Sequence, residues 1–158
     1  MAPPRDYIDF STKAVMEHVA IMKKSWGLTG KILSGEKTIE SRWYRFRRAP
    51  WNLIRTGDVV YFKDSGEQVS AMARVARVVQ FSDLEPRRVA EILKKYGDAD
   101  GIEERDLGKF YGRFREKRYC ILVFLRDARE VEPFWIDKRG FGVMSAWITV
   151  DDVDRIRK

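Results

Sequence analysis

The residues best suited to chemistry in this chain lie within one short stretch. Lys37, Glu40 and Arg42 follow Gly35, which is expected to end a helix, and they fall in a predicted strand over 37–43. In one interpretation, the two cations bind a phosphate or a base edge while Glu40 accepts from an amino group. In a second, Glu40 is a general base and Lys37 stabilises developing charge. In a third, Glu40 and Arg42 form only a structural ion pair.

The alternation of side chains along a strand predicts how these groups are arranged. Glu40 and Arg42 share one face of the predicted strand, about 7 Å apart at the backbone, and Lys37 belongs to the other face. Lys37 can reach Glu40 only if the chain bends where the strand begins. We therefore expect Lys37 to lie at the mouth of the strand, within a side-chain length of Glu40.

A basic, aromatic loop follows the strand directly. No acidic residue occurs between Ser41 and Gly57. Arginines that alternate with aromatic residues suit single-stranded nucleic acid, because guanidinium groups bind phosphates while aromatic rings stack on bases. The alternative is a solvated loop whose aromatic side chains belong to the core. The arginines of this region are Arg42, Arg45, Arg47, Arg48 and Arg55, and the aromatic residues are Trp43, Tyr44, Phe46 and Trp51.

The elements that must position these residues are short strands separated by turn signals, with three helical segments. A change of phase near Val75 predicts a β-bulge, and Pro133 predicts an edge strand. This pattern indicates an α+β fold, a small mixed β-barrel flanked by helices. One domain is expected over 18–158, preceded by an N-terminal arm over 1–17. Strands are predicted at 19–22, 37–43, 59–63, 69–80, 119–125, 130–136 and 146–150, and helices at 26–34, 86–96 and 107–117.

The stretch with the candidate site also carries a family resemblance. Gly35, Lys37, Glu40 and Arg42 match the pattern Gly-x-Lys-x-x-Glu-x-Arg, which resembles the ASCH family. The turn at 56–58 before a strand and the stretch 140–147 near the end support the resemblance by their order and spacing. The similarity extends over roughly residues 18 to 150.

The resemblance implies a PUA-like β-barrel that binds RNA, or a nucleotide within it, in a cleft beside the barrel. DNA is the alternative nucleic acid. Lys37, Glu40 and Arg42 are then expected to form the floor of the cleft. The residues expected at its rim and walls are Trp43, Arg45, Arg47, Arg48, Ser145 and Trp147.

The resemblance also leaves an enzymatic function open. Some family members resemble amidohydrolases that act on N4-acetylcytidine, with a threonine nucleophile three residues after the motif lysine, where this chain has Glu40. Other members have been assigned ribonuclease activity. The alternative to a binding module is therefore a small hydrolase in which Lys37 and Glu40 are catalytic. A further alternative is an interaction domain that docks onto an RNA-processing assembly.

Composition agrees with an anionic partner. Lys and Arg total 31 against 24 Asp and Glu, so the formal net charge is +7, which favours nucleic acid. Charged residues reach 35%, whereas side-chain amides are limited to Asn52, Gln68 and Gln80, a balance similar to that of thermophile proteins. No apolar run approaches the ~20 residues needed to cross a bilayer, and residues 1–9 lack the apolar core of a secretory signal. A cytoplasmic protein without membrane contact is expected.

Cysteine and histidine usage argues against metal and triad chemistry. Cys120 is the only cysteine and lies in an apolar run, so a buried structural thiol is expected. His18 is the only histidine, and with one residue of each kind a zinc site lacks ligands. A Ser-His-Asp triad would have to use His18, and nothing near it in the sequence indicates one. We expect neither a metal nor a cofactor.

Overall fold

The computed structural model describes residues 15–142 and 144–158 of the chain. Within these residues, the model contains six strands and three α-helices. The strands are β1 (Glu17–Met22), β2 (Ile39–Tyr44), β3 (Val59–Asp64), β4 (Val69–Phe81), β5 (Tyr119–Phe134) and β6 (Trp147–Val150). The helices are α1 (Leu28–Ser34), α2 (Pro86–Tyr96) and α3 (Leu107–Phe114). No helix of the described chain is long and apolar enough to span a membrane.

All six strands belong to one mixed sheet in the order β2-β5-β4-β3-β1-β6. β1 and β3 are parallel, and every other neighbouring pair is antiparallel. The sheet curls into a half-barrel, so that β2 forms one edge and β6 the other. The predicted α+β class and PUA-like barrel are therefore confirmed.

The curled sheet has an apolar core on each side. Its concave side buries small and β-branched residues of the central strands, among them Val60, Ala73 and Val123, together with Phe62 and Trp147. Small residues on β4 let the sheet close tightly around the larger side chains. The convex side is covered by the apolar faces of α2 and α3, which pack on β2 and on the first half of β5.

β5 is one continuous strand, whereas the sequence predicts two, at 119–125 and 130–136. Asp127 has a φ of 55°, and the β4–β5 register shifts at this point and near Val75. These bulges bend the strand without ending it, because an extra residue is absorbed while pairing continues. The bulge predicted near Val75 is confirmed. Pro133 lies in the half of β5 that pairs with β4 alone, which is the edge position predicted for it.

The segments before the candidate site differ from prediction mainly at their ends. Gly27, with a φ of 62°, separates a single 3-10 turn from α1, so the helix begins at Leu28 instead of residue 26. α1 ends at Gly35, which adopts a φ of 85° as predicted for a C-terminal glycine. β2 starts at Ile39, so Lys37 precedes the strand. The predicted arm over 1–17 lies almost entirely outside the described residues.

Candidate functional site

Lys37 is the centre of a buried charge cluster. Its side chain has no exposed area, and its Nζ lies 2.6 Å from the carbonyl oxygen of Ile39 and 2.6 Å from that of Asp100. Nζ also lies 2.6 Å from Asp100 Oδ1 and 3.3 Å from Glu40 Oε1. The predicted proximity of Lys37 and Glu40 is confirmed. Since an ammonium group has three N–H donors, these four oxygens of the protein take them all.

Asp100 is a member of this cluster that the sequence did not single out. Its Oδ2 accepts a hydrogen bond of 2.5 Å from the Ser41 hydroxyl. The turn that carries Asp100 also docks onto the start of β2, because the carbonyl of Ala99 accepts from the amides of Thr38 and Ile39. Gly101 permits the close approach: its φ is +81°, and a Cβ there would lie 3.2 Å from the Lys37 chain. The acidic segment 98–106 therefore contributes a buried counter-ion to the site.

The same cluster hydrogen-bonds backbone groups on the edge of β2 that does not face β5. The carbonyl groups of Thr38 and Tyr44 bond to the β5 side, so Ile39 and Ser41 turn their backbone groups outward. The Ile39 carbonyl accepts from Lys37 Nζ, and the Ser41 amide donates to Glu40 Oε1 at 3.1 Å. Charged side chains thus bind edge groups that another strand would otherwise bind.

Burial and ion pairing together set the charge states of the cluster. Burial acts to lower the pKa of Lys37, but Asp100 and Glu40 outweigh it and hold the pKa above its usual value. Burial acts to raise the pKa of Glu40, but Lys37 and Arg42 outweigh it, and this pKa is lowered. Burial raises the pKa of Asp100, which Lys37 opposes and Glu40 reinforces. The surroundings therefore favour the charged forms of Lys37 and Glu40, whereas burial disfavours the charged form of Asp100.

Arg42 connects β2 to the opposite side of the half-barrel. One nitrogen, Nη1, donates to the carbonyl of Ala146 at 3.1 Å. The other, Nη2, donates to the carbonyl of Ile21 at 3.3 Å and to Glu40 Oε2 at 3.2 Å. Its guanidinium carbon also lies 5.1 Å from the centre of the Trp147 ring. Arg42 therefore spans the seam between β2 and the end of β1.

A cleft of about 250 Å³ opens along this seam. Glu40 and Arg42 supply an ion pair to its lining, and Trp43 and Tyr44 continue along the same strand. The rest of the lining includes the ends of β1 and α3 and the turn before α1, namely Ile21, Met22, Lys23, Trp26, Leu28, Ser41, Phe114 and Ala146. The cleft is thus mainly apolar, with four aromatic side chains and with the paired carboxylate and guanidinium of Glu40 and Arg42 in its lining.

The residues predicted at the rim of the cleft lie on the surface. Arg45, Arg47 and Arg48 are exposed. The guanidinium of Arg47 lies over the rings of Trp51 and Tyr119, at 5.7 and 5.6 Å. These arginines remain accessible to an anionic ligand.

The predicted wall residues are held more tightly. Trp43 is 7% exposed and stacks on Phe114 with a centroid distance of 4.8 Å. Trp147 is buried, and Ser145 donates to its carbonyl at 2.9 Å. Ser145 and Trp147 line a small chamber beside the cleft, which Arg48 and Tyr44 also line. Trp26, which the sequence analysis assigned only to a helix, lines the cleft itself.

His18 supports this wall from inside the sheet. The Trp147 indole donates to His18 Nδ1 at 3.1 Å, so the neutral imidazole carries its hydrogen on Nε2. His18 Nε2 donates to Asp58 Oδ2 at 2.8 Å. Both ring nitrogens are therefore occupied inside the protein, and the arrangement orients Trp147. Among the described residues, no group of three His, Cys, Asp or Glu is placed to hold a metal ion.

The solved structures that resemble this chain include the ASCH protein of Zymomonas mobilis. That protein superposes with a TM-score of 0.55 and 22% identity, covering 74% of this chain and 71% of that chain. A Tyr-to-Phe variant of it gives a TM-score of 0.63 and 20% identity over 88% of this chain and 93% of that chain. A Ser-to-Ala variant gives a TM-score of 0.54 and 19% identity, covering 74% and 72%. Neither protein-family models nor curated protein sequences match the chain. At these identities, the likeness establishes the fold.

Proposed function

We propose that this chain, which has the fold of the ASCH domains, binds RNA or a nucleotide within it in the cleft between β1 and β2. The observation that carries the proposal is the ion pair of Glu40 and Arg42 in a cleft whose other lining is mainly apolar and includes four aromatic side chains. Such a site offers flat apolar surfaces for a base and two polar groups to fix its orientation.

The size of the cleft limits the ligand. Its volume of about 250 Å³ is below the ~300 Å³ at which pockets for drug-sized ligands begin. One base with its sugar suits this space, whereas several stacked bases do not. A longer strand would therefore place a single nucleotide in the cleft and run the rest across the surface.

The ionised state of Glu40 suits recognition of a base edge. A carboxylate only accepts hydrogen bonds, so it selects amino and imino donors of a base. Lys37 and the Ser41 amide hold Oε1, and Arg42 holds Oε2. Oε1 thus has both lone pairs engaged, whereas Oε2 keeps a second lone pair for a ligand, and the carboxylate does not have to reorganise when a base arrives. In this proposal Lys37 is a positioning residue that acts through Glu40.

The exposed arginines after β2 complete the proposed interface. Arg45, Arg47 and Arg48 lie on the chain that leaves the cleft at Tyr44. Guanidinium groups bind phosphates in the bidentate mode and supply affinity that does not depend on base sequence. The cleft would then select the base, and the rim would hold the backbone of the strand.

The geometry gives less support to the hydrolase alternative. A general base works best with a pKa near the working pH, whereas the surroundings of Glu40 lower its pKa. The ammonium of Lys37 has its donors engaged within the protein and no exposed area, so it has none left to polarise a substrate. These two features favour binding over proton transfer as the task of the cluster.

The cleft can be tested through Trp26. Its ring lines the cleft and is only partly buried, so Trp26→Leu removes a stacking surface without emptying the core. Stacking contributes ~1–3 kcal/mol per base, and we expect affinity for single-stranded RNA to fall between roughly fivefold and 150-fold. Fluorescence anisotropy with labelled RNA and matched DNA measures this and shows whether RNA is preferred.

Trp135→Leu is the matched control. Trp135 is 49% exposed at the end of β5 and does not line the cleft, so its loss is expected to leave RNA affinity unchanged. Equal affinities for the wild-type protein and Trp26→Leu would exclude the cleft as the binding site. The absence of RNA and DNA binding at low salt would reject the proposed function. If a protein then co-purified in stoichiometric amount, the interaction-domain alternative would gain support.

A further inference from the structure

A second, smaller space adjoins the cleft. This chamber has a volume of about 80 Å³ and lies between the chain after β2 and the chain before β6. Tyr44 and Ala146 line both spaces, so a ligand in the cleft can extend into the chamber. The chamber is too small for a base and large enough for a phosphate group.

The chamber is electropositive. None of the described residues that line it is acidic, and Arg48 reaches it with its guanidinium 5.6 Å from the centre of the Tyr44 ring. Arg42 approaches from the cleft side, where it bonds to the Ala146 carbonyl. Burial raises the pKa of Tyr44, and Arg42 and Arg48 both oppose that rise, as expected if the phenol lies between two guanidinium groups.

Arg48 differs from the other arginine at this site in having no carboxylate partner among the described residues. Arg42 is paired with Glu40, whereas Arg48 lies over the Tyr44 ring and takes part in none of the ion pairs within the described chain. A guanidinium that no described carboxylate neutralises, at a small polar space beside a base-sized cleft, is suited to a ligand anion.

We infer that the chamber holds the phosphate group of the nucleotide whose base occupies the cleft. The inference rests on the proposed function and narrows its ligand to a nucleotide or a phosphodiester, in preference to a free nucleoside. Arg48 provides the main contact, Arg42 contributes its charge from the cleft side, and the base and phosphate span Tyr44.

Isothermal titration of the full chain tests this inference directly. The probes are adenosine, cytidine, guanosine and uridine, and the 5′- and 3′-monophosphate of each. We expect at least one monophosphate to bind tenfold or more tightly than its own nucleoside. Arg48→Gln should reduce that ratio to about one. Arg87→Gln is the control: Arg87 is an exposed arginine on α2, and its loss should preserve the ratio.

The outcomes separate this inference from the proposal on which it rests. If nucleosides bind and phosphate brings no advantage, or if Arg48→Gln retains the advantage, the phosphate site is rejected and the base cleft stands. If neither nucleosides nor monophosphates bind while RNA does, the chamber is not a phosphate site for a single nucleotide, and the inference fails. If RNA also fails to bind, the proposed function fails with it.

Discussion

At the scale of single residues, the candidate site depends on a lysine whose side chain has no exposed area. Lys37 lies between two carboxylates, and the charges of Lys37, Glu40, Asp100 and Arg42 balance within one buried cluster. An isolated charge at this depth would be strongly unfavourable, so each member depends on the others. The cluster fixes the Glu40 carboxylate at the floor of the cleft before any ligand arrives.

Lys37→Met is expected to be strongly destabilising. Removing one partner of a buried ion pair leaves an uncompensated charge and costs roughly 3–5 kcal/mol. We expect a loss of this order in the free energy of unfolding, measured by urea denaturation at pH 7. The double variant Lys37→Met with Asp100→Asn should recover part of the loss, because it removes the charge of Asp100, whereas Glu40 still pairs with Arg42.

Lys24→Met provides the comparison for Lys37→Met. Lys24 forms an ion pair with Glu67 on the surface, where water screens the charges, so its loss should change stability far less. If both lysine variants unfolded at the same urea concentration, the cluster would not hold the structure together as we argue. If the Asp100 change failed to recover any stability, the Lys37–Asp100 pair would not be the source of the loss.

The sequence predicted part of this cluster at the level of residues. The spacing of Lys37, Glu40 and Arg42 predicted that their side chains lie close together, because strand alternation and a bend at the start of the strand are local properties. Asp100 was not found, since it lies 63 positions from Lys37 and only tertiary folding brings the two together. The burial of Lys37 was not found either, because sequence spacing carries no information about what covers a side chain.

At the scale of elements, Asp58 joins β3 to the beginning of β1. Its carboxylate accepts from the amides of Met16 and Arg55 and from His18 Nε2, at 3.1, 3.0 and 2.8 Å. Because His18 in turn accepts from Trp147, this carboxylate supports β6 as well. Thr56-Gly57-Asp58 was predicted only as a turn before a strand. The Asp58 carboxylate can connect these three strands because β1 lies parallel to β3 and pairs with it directly.

Asp58→Asn should therefore destabilise the protein in a pH-dependent way. Burial acts to raise the pKa of Asp58, but the bonds from His18 and the two amides outweigh it, so the pKa is lowered. The stabilisation is complete above the ordinary aspartate pKa of about 3.9 and is lost as the pH falls through the lower pKa of the folded state. We expect Asp58→Asn to lose roughly 1–3 kcal/mol at pH 7 and to differ less from the wild-type protein at pH 3.

Urea denaturation at pH 7, 4 and 3 measures this difference. Asp83→Asn is the control, because Asp83 is an exposed loop residue with a φ of 53° that asparagine tolerates. It should match the wild-type protein at pH 7. A difference between Asp58→Asn and the wild-type protein that stayed constant from pH 7 to pH 3 would show that charge does not contribute to the effect.

Strand and helix identities were predicted better than their connections. Short runs of apolar residues between turn signals located all six strands, including β1, β3 and β5, which are buried on both faces. The division of β5 was wrong, because a bulge at Asp127 looks like a turn in sequence. A bulge and a turn use the same residue types, and only pairing with β4 distinguishes them.

At the scale of the whole molecule, the cleft exists because the barrel does not close. β2 and β6 are the two edges of the sheet, and Arg42 spans the space near them by binding the carbonyls of Ile21 and Ala146. The motif on β2 thereby meets residues from the beginning and the end of the domain. No local sequence pattern predicts that these distant segments lie side by side. Their proximity brings Trp26 to the cleft and forms the chamber next to Arg48.

The salt dependence of RNA binding tests the interface as a whole. Arg42 is occupied within the protein, which leaves the exposed Arg45, Arg47 and Arg48 as the phosphate contacts in our proposal. Three phosphates neutralised on a single strand predict a slope of log affinity against log salt of about −2. Arg47→Gln should make the slope less steep by about 0.7, whereas Arg87→Gln on α2 should leave it unchanged. Anisotropy titrations between about 50 and 200 mM salt measure both slopes. A slope near zero with intact affinity would place the binding energy in the cleft alone and remove the three arginines from the interface. Equal changes for the two glutamine variants would instead show that the overall charge of +7, without a defined rim, draws RNA to the surface.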